Sequence, residues 1–359
     1  MAGQRPGSLP GRYELAPEPR PHGRGSPFAA FWTTLVIGSA AVTAMALVAV
    51  RPAAGSGLPD APVAVLNAAG GASGVSAAAF SPDGAILAAG TIDGKVELWD
   101  VAARRRIGTL TDPAGYVLDA LAFSPDGREL AVADSDGSTF VWRVGAGRLA
   151  VTLPGQAGAA AGTGAVAFSP DGGEVAVSDG AGTTYLWDLP SGRLVAALGG
   201  RVGAGVAGVA FSARGAELAV AAGGGIDVWD VATRRIVARM GGPAGLAVAA
   251  VAFSPSGAEL AVAGSDGRTV LWSLAIGIRL TTLADPAGSG GVEAVAFGPG
   301  GGRLAIADGD GSTYLWDVAS RRQDGMLTGG AGASAVAFSP DGSLLAVGHA
   351  NGAIDLWGT

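Results

Sequence analysis

A phrase that opens on an Ala-Phe pair, usually continues as Ser-Pro-Asp-Gly and closes on a tryptophan recurs seven times along the chain. Its phenylalanines are Phe80, Phe123, Phe168, Phe211, Phe253, Phe297 and Phe338; its tryptophans are Trp99, Trp142, Trp187, Trp229, Trp272, Trp316 and Trp357. The Phe-to-Trp interval is 19 residues in every copy but the fourth, where it is 18, and successive copies start 41 to 45 residues apart. A unit of that length cannot bury its faces alone, so a fixed period means near-identical units stacked on one another.

The copy spanning Val166 to Leu198 shows what each unit contains. VAFSPDG reads as a short strand and a turn, in which Pro170 fixes φ, Asp171 caps and Gly172 accepts positive φ. EVAVSDG is a second alternating strand with its own turn. TTYLWDL, rich in β-branched and aromatic residues, is a third. RLVAAL, after a Pro-Ser-Gly turn, is a fourth. Seven such units read as an all-β fold, a seven-bladed β-propeller of four-stranded antiparallel blades closed into a ring.

The pairing of AFSPDG with LWD resembles the WD-repeat β-propeller family, with Trp99-Asp100, Trp187-Asp188, Trp229-Asp230 and Trp316-Asp317 as the name-giving dipeptide. The resemblance covers residues 61–359 and implies a rigid platform for protein contacts. In the family a Gly-His before the Phe, a strand Ser or Thr, a turn Asp and the Trp make a hydrogen-bonded tetrad. No copy here has that His. Turn acids remain at Asp93, Asp136, Asp266 and Asp310, with Asn351 in the seventh copy and Ala181 and Gly223 in the third and fourth. Blade rigidity is therefore expected to rest on aliphatic packing and turn chemistry.

Only two residues follow Trp357, so the last unit lacks a fourth strand of its own. Residues 62–67, PVAVLN, have the fourth-strand pattern, and 61–67 are expected to complete the final blade and close the ring. The strand order of the family puts the SPDG turns and the third-to-fourth turns on one face, the bottom. The turns before each Trp strand, and the loops between blades, share the top. Arg104, Arg105, Arg106, Arg234, Arg235, Arg321 and Arg322 then fall at the bottom, where they could attract anionic lipid, pair with nearby acids or simply face water.

Ahead of the repeat the chain divides into three. Residues 1–27 hold six prolines and four arginines with almost nothing to bury, which reads as a disordered tail. Residues 28–50 run for 23 positions without a charge. As a helix they would extend about 34 Å, enough to cross a hydrocarbon core of roughly 30 Å. The expectation is a single transmembrane helix, with a cleaved signal peptide as the alternative. Arg5, Arg12, Arg20 and Arg24 precede it and Arg51 alone follows closely, so the tail should be cytoplasmic and the propeller extracytoplasmic. Residues 51–60 are a short tether.

Composition narrows the chemistry. With no cysteine, disulfides and thiol nucleophiles are excluded. Histidine occurs only at positions 22 and 349, which leaves no plausible Ser-His-Asp triad or multi-histidine metal site. A net charge of −7 argues against nucleic acid. Lys95 is the one lysine, and the arginine-, alanine- and glycine-rich usage is what a high-GC bacterial genome writes.

The top face is expected to carry the contact residues: Asp93, Asp134, Asp136, Asp179, Asp266, Asp308 and Asp310 as a carboxylate ring favouring cationic partners, with Tyr116 and Arg201 as anchors. His349 reads as an isolated surface residue. Together these features point to a non-enzymatic membrane-tethered scaffold or sensing module with a protein partner, no cofactor and no dedicated metal. An exported hydrolase using clustered carboxylates, or a purely structural envelope protein, are the other readings.

Overall fold

In the computed structural model, the structure describes residues 59–67, 73–113, 115–155, 163–199, 206–241, 248–284, 291–329 and 332–359. Among them, seven four-stranded antiparallel sheets form the blades. The first six blades are built in chain order, each from four consecutive strands; the first, for example, uses Val75–Phe80, Ile86–Thr91, Lys95–Asp100 and Arg105–Thr111. In the seventh, Ala333–Phe338, Leu344–His349 and Ala353–Gly358 are followed outward by Ala64–Asn67, which comes from the other end of the repeat. Its register sets Ala64 opposite Leu356 and Asn67 opposite Ala353. No helix among the described residues is long and apolar enough to cross a membrane; the segment 28–50 and the tail 1–27 lie outside them.

Each innermost strand packs against the innermost strands of both neighbouring blades, and the strand beginning at Val75 meets the one beginning at Ala333. The ring is closed. Its core is a set of seven apolar seams, each shared by two blades. One joins Ala77, Ala88, Leu98 and Leu110 of the first blade to Leu118, Leu121, Phe123 and Leu130 of the second. The closing seam joins Leu66, Ile354 and Leu356 of the seventh to Val75, Phe80, Leu87 and Trp99 of the first. Alanines such as Ala88, Ala131, Ala176 and Ala261 are fully buried on the second strands and let the sheets approach closely.

The Ser-Pro-Asp-Gly turns carry their own wiring. Ser81 Oγ donates to Asp83 Oδ1 at 2.6 Å and accepts the Ile86 N–H at 2.9 Å, while the Ala85 N–H donates to Asp83. The same set recurs at Ser124/Asp126 and Ser169/Asp171. In all three the serine hydroxyl, then a backbone N–H, holds the aspartate below its usual pKa. Gly84 has φ +72°, and a Cβ there would lie 3.4 Å from Pro340 of the seventh blade, so these turns also touch around the ring.

On the same face, Asp100, Asp230 and Asp317 cap the turns after their tryptophans by accepting the N–H of Ala103, Thr233 and Ser320. Arg104, Arg234 and Arg321 then adopt positive φ, and each guanidinium reaches the preceding blade, donating to the carbonyls of Val63, Val195 and Leu280. Arg106 pairs with Glu97 at 2.9 Å. Three of the seven arginines expected at the bottom thus bind one blade to the next, and Arg106 ties two strands of its own blade. The missing family tetrad also leaves its mark: the indole Nε1 groups of Trp99, Trp229 and Trp272 are buried without an acceptor among the described residues.

Candidate functional site

Because the strands alternate in direction, the second-to-third-strand turns lie with the starts of the innermost strands and the ends of the outermost ones on the face opposite the Ser-Pro-Asp-Gly turns. The expected contact residues divide there into two groups. Asp93, Asp136 and Asp310 are exposed and Asp266 is partly so. Asp93 is held by the Thr91 hydroxyl at 2.6 Å and by Lys95 at 2.5 Å. Asp266 lies 3.8 Å from Arg268. Asp136 and Asp310 accept the N–H groups of Ser138 and Ser312 and form no ion pair with described residues.

Asp134, Asp179 and Asp308, in contrast, end the second strands and are buried. Asp134 Oδ1 accepts from Asp136 and Ser138, and Asp179 Oδ1 from Ala181 and Thr183. Asp308 accepts from Asp310. The Tyr185 hydroxyl donates to Asp179 Oδ2 at 3.0 Å. These three shape the turns and are not displayed to a partner. Burial, then the neighbouring Asp136, pushes the Asp134 carboxyl up to about 8.

His349 corrects the expectation of a surface residue. It is fully buried at the end of its strand, with Nε2 2.9 Å from Asp355 Oδ2. Position along the turn suggested solvent, but the equivalent strand-end positions, Thr91, Asp134 and Asp179, all point inward. Tyr116 is exposed, and its N–H donates to Asp112 Oδ2 at 2.6 Å, which fixes the loop that carries it. Arg201 lies outside the described residues. The tryptophans serve the blade seams: Trp99, Trp187, Trp229 and Trp357 are buried, and Trp142, Trp272 and Trp316 are partly so and pack on their clusters.

Two further carboxyls belong to this end of the molecule and escape a reading by turns. Every blade has an extra residue bulged from its innermost strand: Ser76, Asp119, Gly164, Ala207, Ala249, Glu293 and Ser334. Five are neutral and two are acids. Burial raises the Glu293 carboxyl above its usual range and pushes Asp119 up to about 7. Superposing the seven copies exposes both, because only the repeat makes a carboxylate at this register unusual.

A carboxyl with a native pKa above its unfolded value stabilises below the unfolded pKa, and that contribution is lost as pH rises through the native one. Asp119→Ser, the residue of the first and seventh blades, should therefore be more stable than the parent by about 1–3 kcal/mol at pH 8.5, the figure being discounted for partial exposure. The difference should vanish near pH 4. Urea unfolding at both pH values measures it, and equal gains at both would reject a charge effect.

No group of three His, Asp or Glu side chains among the described residues stands close enough to hold a metal ion. In the second-to-third-strand turns the only cations are Lys95 and Arg268, each beside an aspartate of its own turn. Among the described residues the second-to-third-strand turns are acidic, with few exposed apolar side chains.

A family model described as WD domain, G-beta repeat matches residues 61–100, 104–143, 235–273, 278–317 and 324–358, more than half of the chain. The unmatched stretch holds the third blade and most of the fourth, whose turns carry Ala181 and Gly223 in place of aspartate. No curated protein matches the sequence.

Proposed function

The chain belongs to the WD-repeat family, and from that premise we propose a non-enzymatic interaction scaffold or sensing module, tethered to a membrane by residues 28–50, that offers its top face to a cationic protein segment. The observation that carries this reading is the charge pattern of that face. Asp136 and Asp310 stand exposed on wired turns with no ion pair among the described residues, so they cost little to pair with an incoming lysine or arginine. A rigid ring also limits the ordering entropy lost on binding.

The tether fits the same picture. The strand Ala64–Asn67 runs from the bottom face toward the top, so the described chain enters the ring on the side opposite the acidic turns. The flanking arginines of 28–50 support a propeller outside the cytoplasm.

Because the chain has no cysteine, Ser135→Cys in an exposed top turn gives a single reporter. A membrane-impermeant maleimide should label it in intact cells. Labelling only after lysis would reverse the topology and make the protein a cytoplasmic scaffold. A pull-down from solubilised membranes should then recover partners whose retention falls with salt and with Asp136→Asn/Asp310→Asn; recovery insensitive to both would reject the acidic face as the site.

A further inference from the structure

The repeat supplies its own control for unusual surface residues. Six residues after the tryptophan, five of the first six blades carry arginine: Arg105, Arg148, Arg193, Arg235 and Arg322. The fifth blade carries Ile278. Two residues earlier the others have small or polar side chains, Ala103, Ala146, Ser191, Thr233 and Ser320, and the fifth has Ile276. Ile276 is 66% exposed, the highest value among the exposed large apolar side chains of the described residues, and Ile278 is 51% exposed. Neither is needed by the blade, since its siblings fold with small or polar residues there.

Beside them lies a cavity of about 350 Å³ between the fifth and sixth blades, walled by Leu271, Leu280, Val318 and Ala319 and by Arg321, whose guanidinium donates to the Leu280 carbonyl. It is open because Gly-Pro-Gly-Gly-Gly at 298–302 replaces the Ser-Pro-Asp-Gly turn, leaving bare backbone on one side. Leu280 follows Ile278 by two residues and Ile276 by four, so the projecting isoleucines stand within about 7 Å and about 14 Å of chain from the recess. Glu259 lines the same cavity, and Arg279 is exposed between Ile278 and Leu280. Neither forms an ion pair among the described residues; in the second blade the glutamate at the position of Glu259, Glu129, faces Arg143.

A projection, a recess, an acid and an arginine outside any ion pair among the described residues thus share one patch. We propose that this edge is a two-fold self-association surface: Ile276 and Ile278 of one copy enter the cavity between the fifth and sixth blades of a second copy, reciprocally, with Arg279 of each facing Glu259 of the other. A two-fold axis is the arrangement in which both complementary pairs are satisfied twice and the assembly closes. The surface is small, which places it in the transient class, with a dissociation constant on the order of 10 µM.

The test uses the full chain in detergent, by analytical ultracentrifugation from about 1 to 100 µM, the range that spans such a constant. The parent should show a concentration-dependent dimer. Ile276→Ser with Ile278→Arg installs the sixth blade's residues, so it should leave the melting temperature unchanged while weakening the dimer at least about 10-fold. Cysteine chemistry separates this contact from association through the apolar N-terminal segment. Copies bearing Ala275→Cys mixed with copies bearing Ala319→Cys should form a mixed disulfide under mild oxidation, and the Ile276/Ile278 variant background should abolish it. A parent that stays monomeric throughout, a dimer indifferent to the double substitution, or a mixture that fails to cross-link would each overturn the proposal. So would a double variant that loses only its adhesion to vesicles of anionic lipid, which would make the isoleucines a lipid contact.

Discussion

Deleting residues 61–67 should lower the melting temperature by about 10 °C or more, whereas deleting residues 1–27 should leave it within about 2 °C of the parent. The first deletion removes the outer strand of the seventh blade. Leu66, 3% exposed, leaves the closing seam, and Ile354 and Leu356 lose the strand that covers them. Burying an aliphatic side chain is worth about 1.5–3 kcal/mol, and each lost ladder bond about 1 kcal/mol. The Val63 N–H bond to Leu356 and the Arg104 bond to the Val63 carbonyl go as well. About 5–10 kcal/mol follows, which in a domain this large is about 10–20 °C. Differential scanning calorimetry of both deletions decides it; equal melting temperatures would mean that the ring does not depend on this strand.

That strand was legible in the sequence because PVAVLN shares a pattern with six other outer strands. Repetition made strand number, order and face assignment readable for the same reason: a signal too weak in one copy is strong in seven. Legibility failed where a side chain's fate depends on which way a strand end points. Asp134 and Asp136 are two residues apart in one turn, yet the first is buried as a cap and the second exposed. Composition sees two carboxylates.

Arg104, Arg234 and Arg321 illustrate a second limit. They align with Gly147 and Gly192, whose positive φ is routine for glycine, so the backbone geometry was accessible by comparison. Their bonds to the preceding blade required the ring itself. Asp119 and Glu293 illustrate a third, since a bulge leaves no trace in hydrophobic alternation until register is known.

The deepest departure from the surface reading gives the second large effect. His349→Ala should cost about 3–5 kcal/mol, because it leaves the Asp355 carboxylate buried without its partner. Gly329, in the segment leaving the sixth blade, lies directly over the pair. A Cβ there would come within 2.3 Å of the imidazole, so the Gly329 backbone covers it closely. Asp355→Ala should cost less, about 1–3 kcal/mol, the cost of leaving one buried imidazole nitrogen without its hydrogen-bond partner. Replacing both by Leu should return most of the loss, for the fifth blade holds Gly264 and Val270 at these positions and needs no ion pair. Guanidinium unfolding of the two single variants and the double variant gives the coupling directly. Additive losses would mean that His349 and Asp355 act as separate core residues, and the seventh blade would then be held by its closing strand and apolar seams alone.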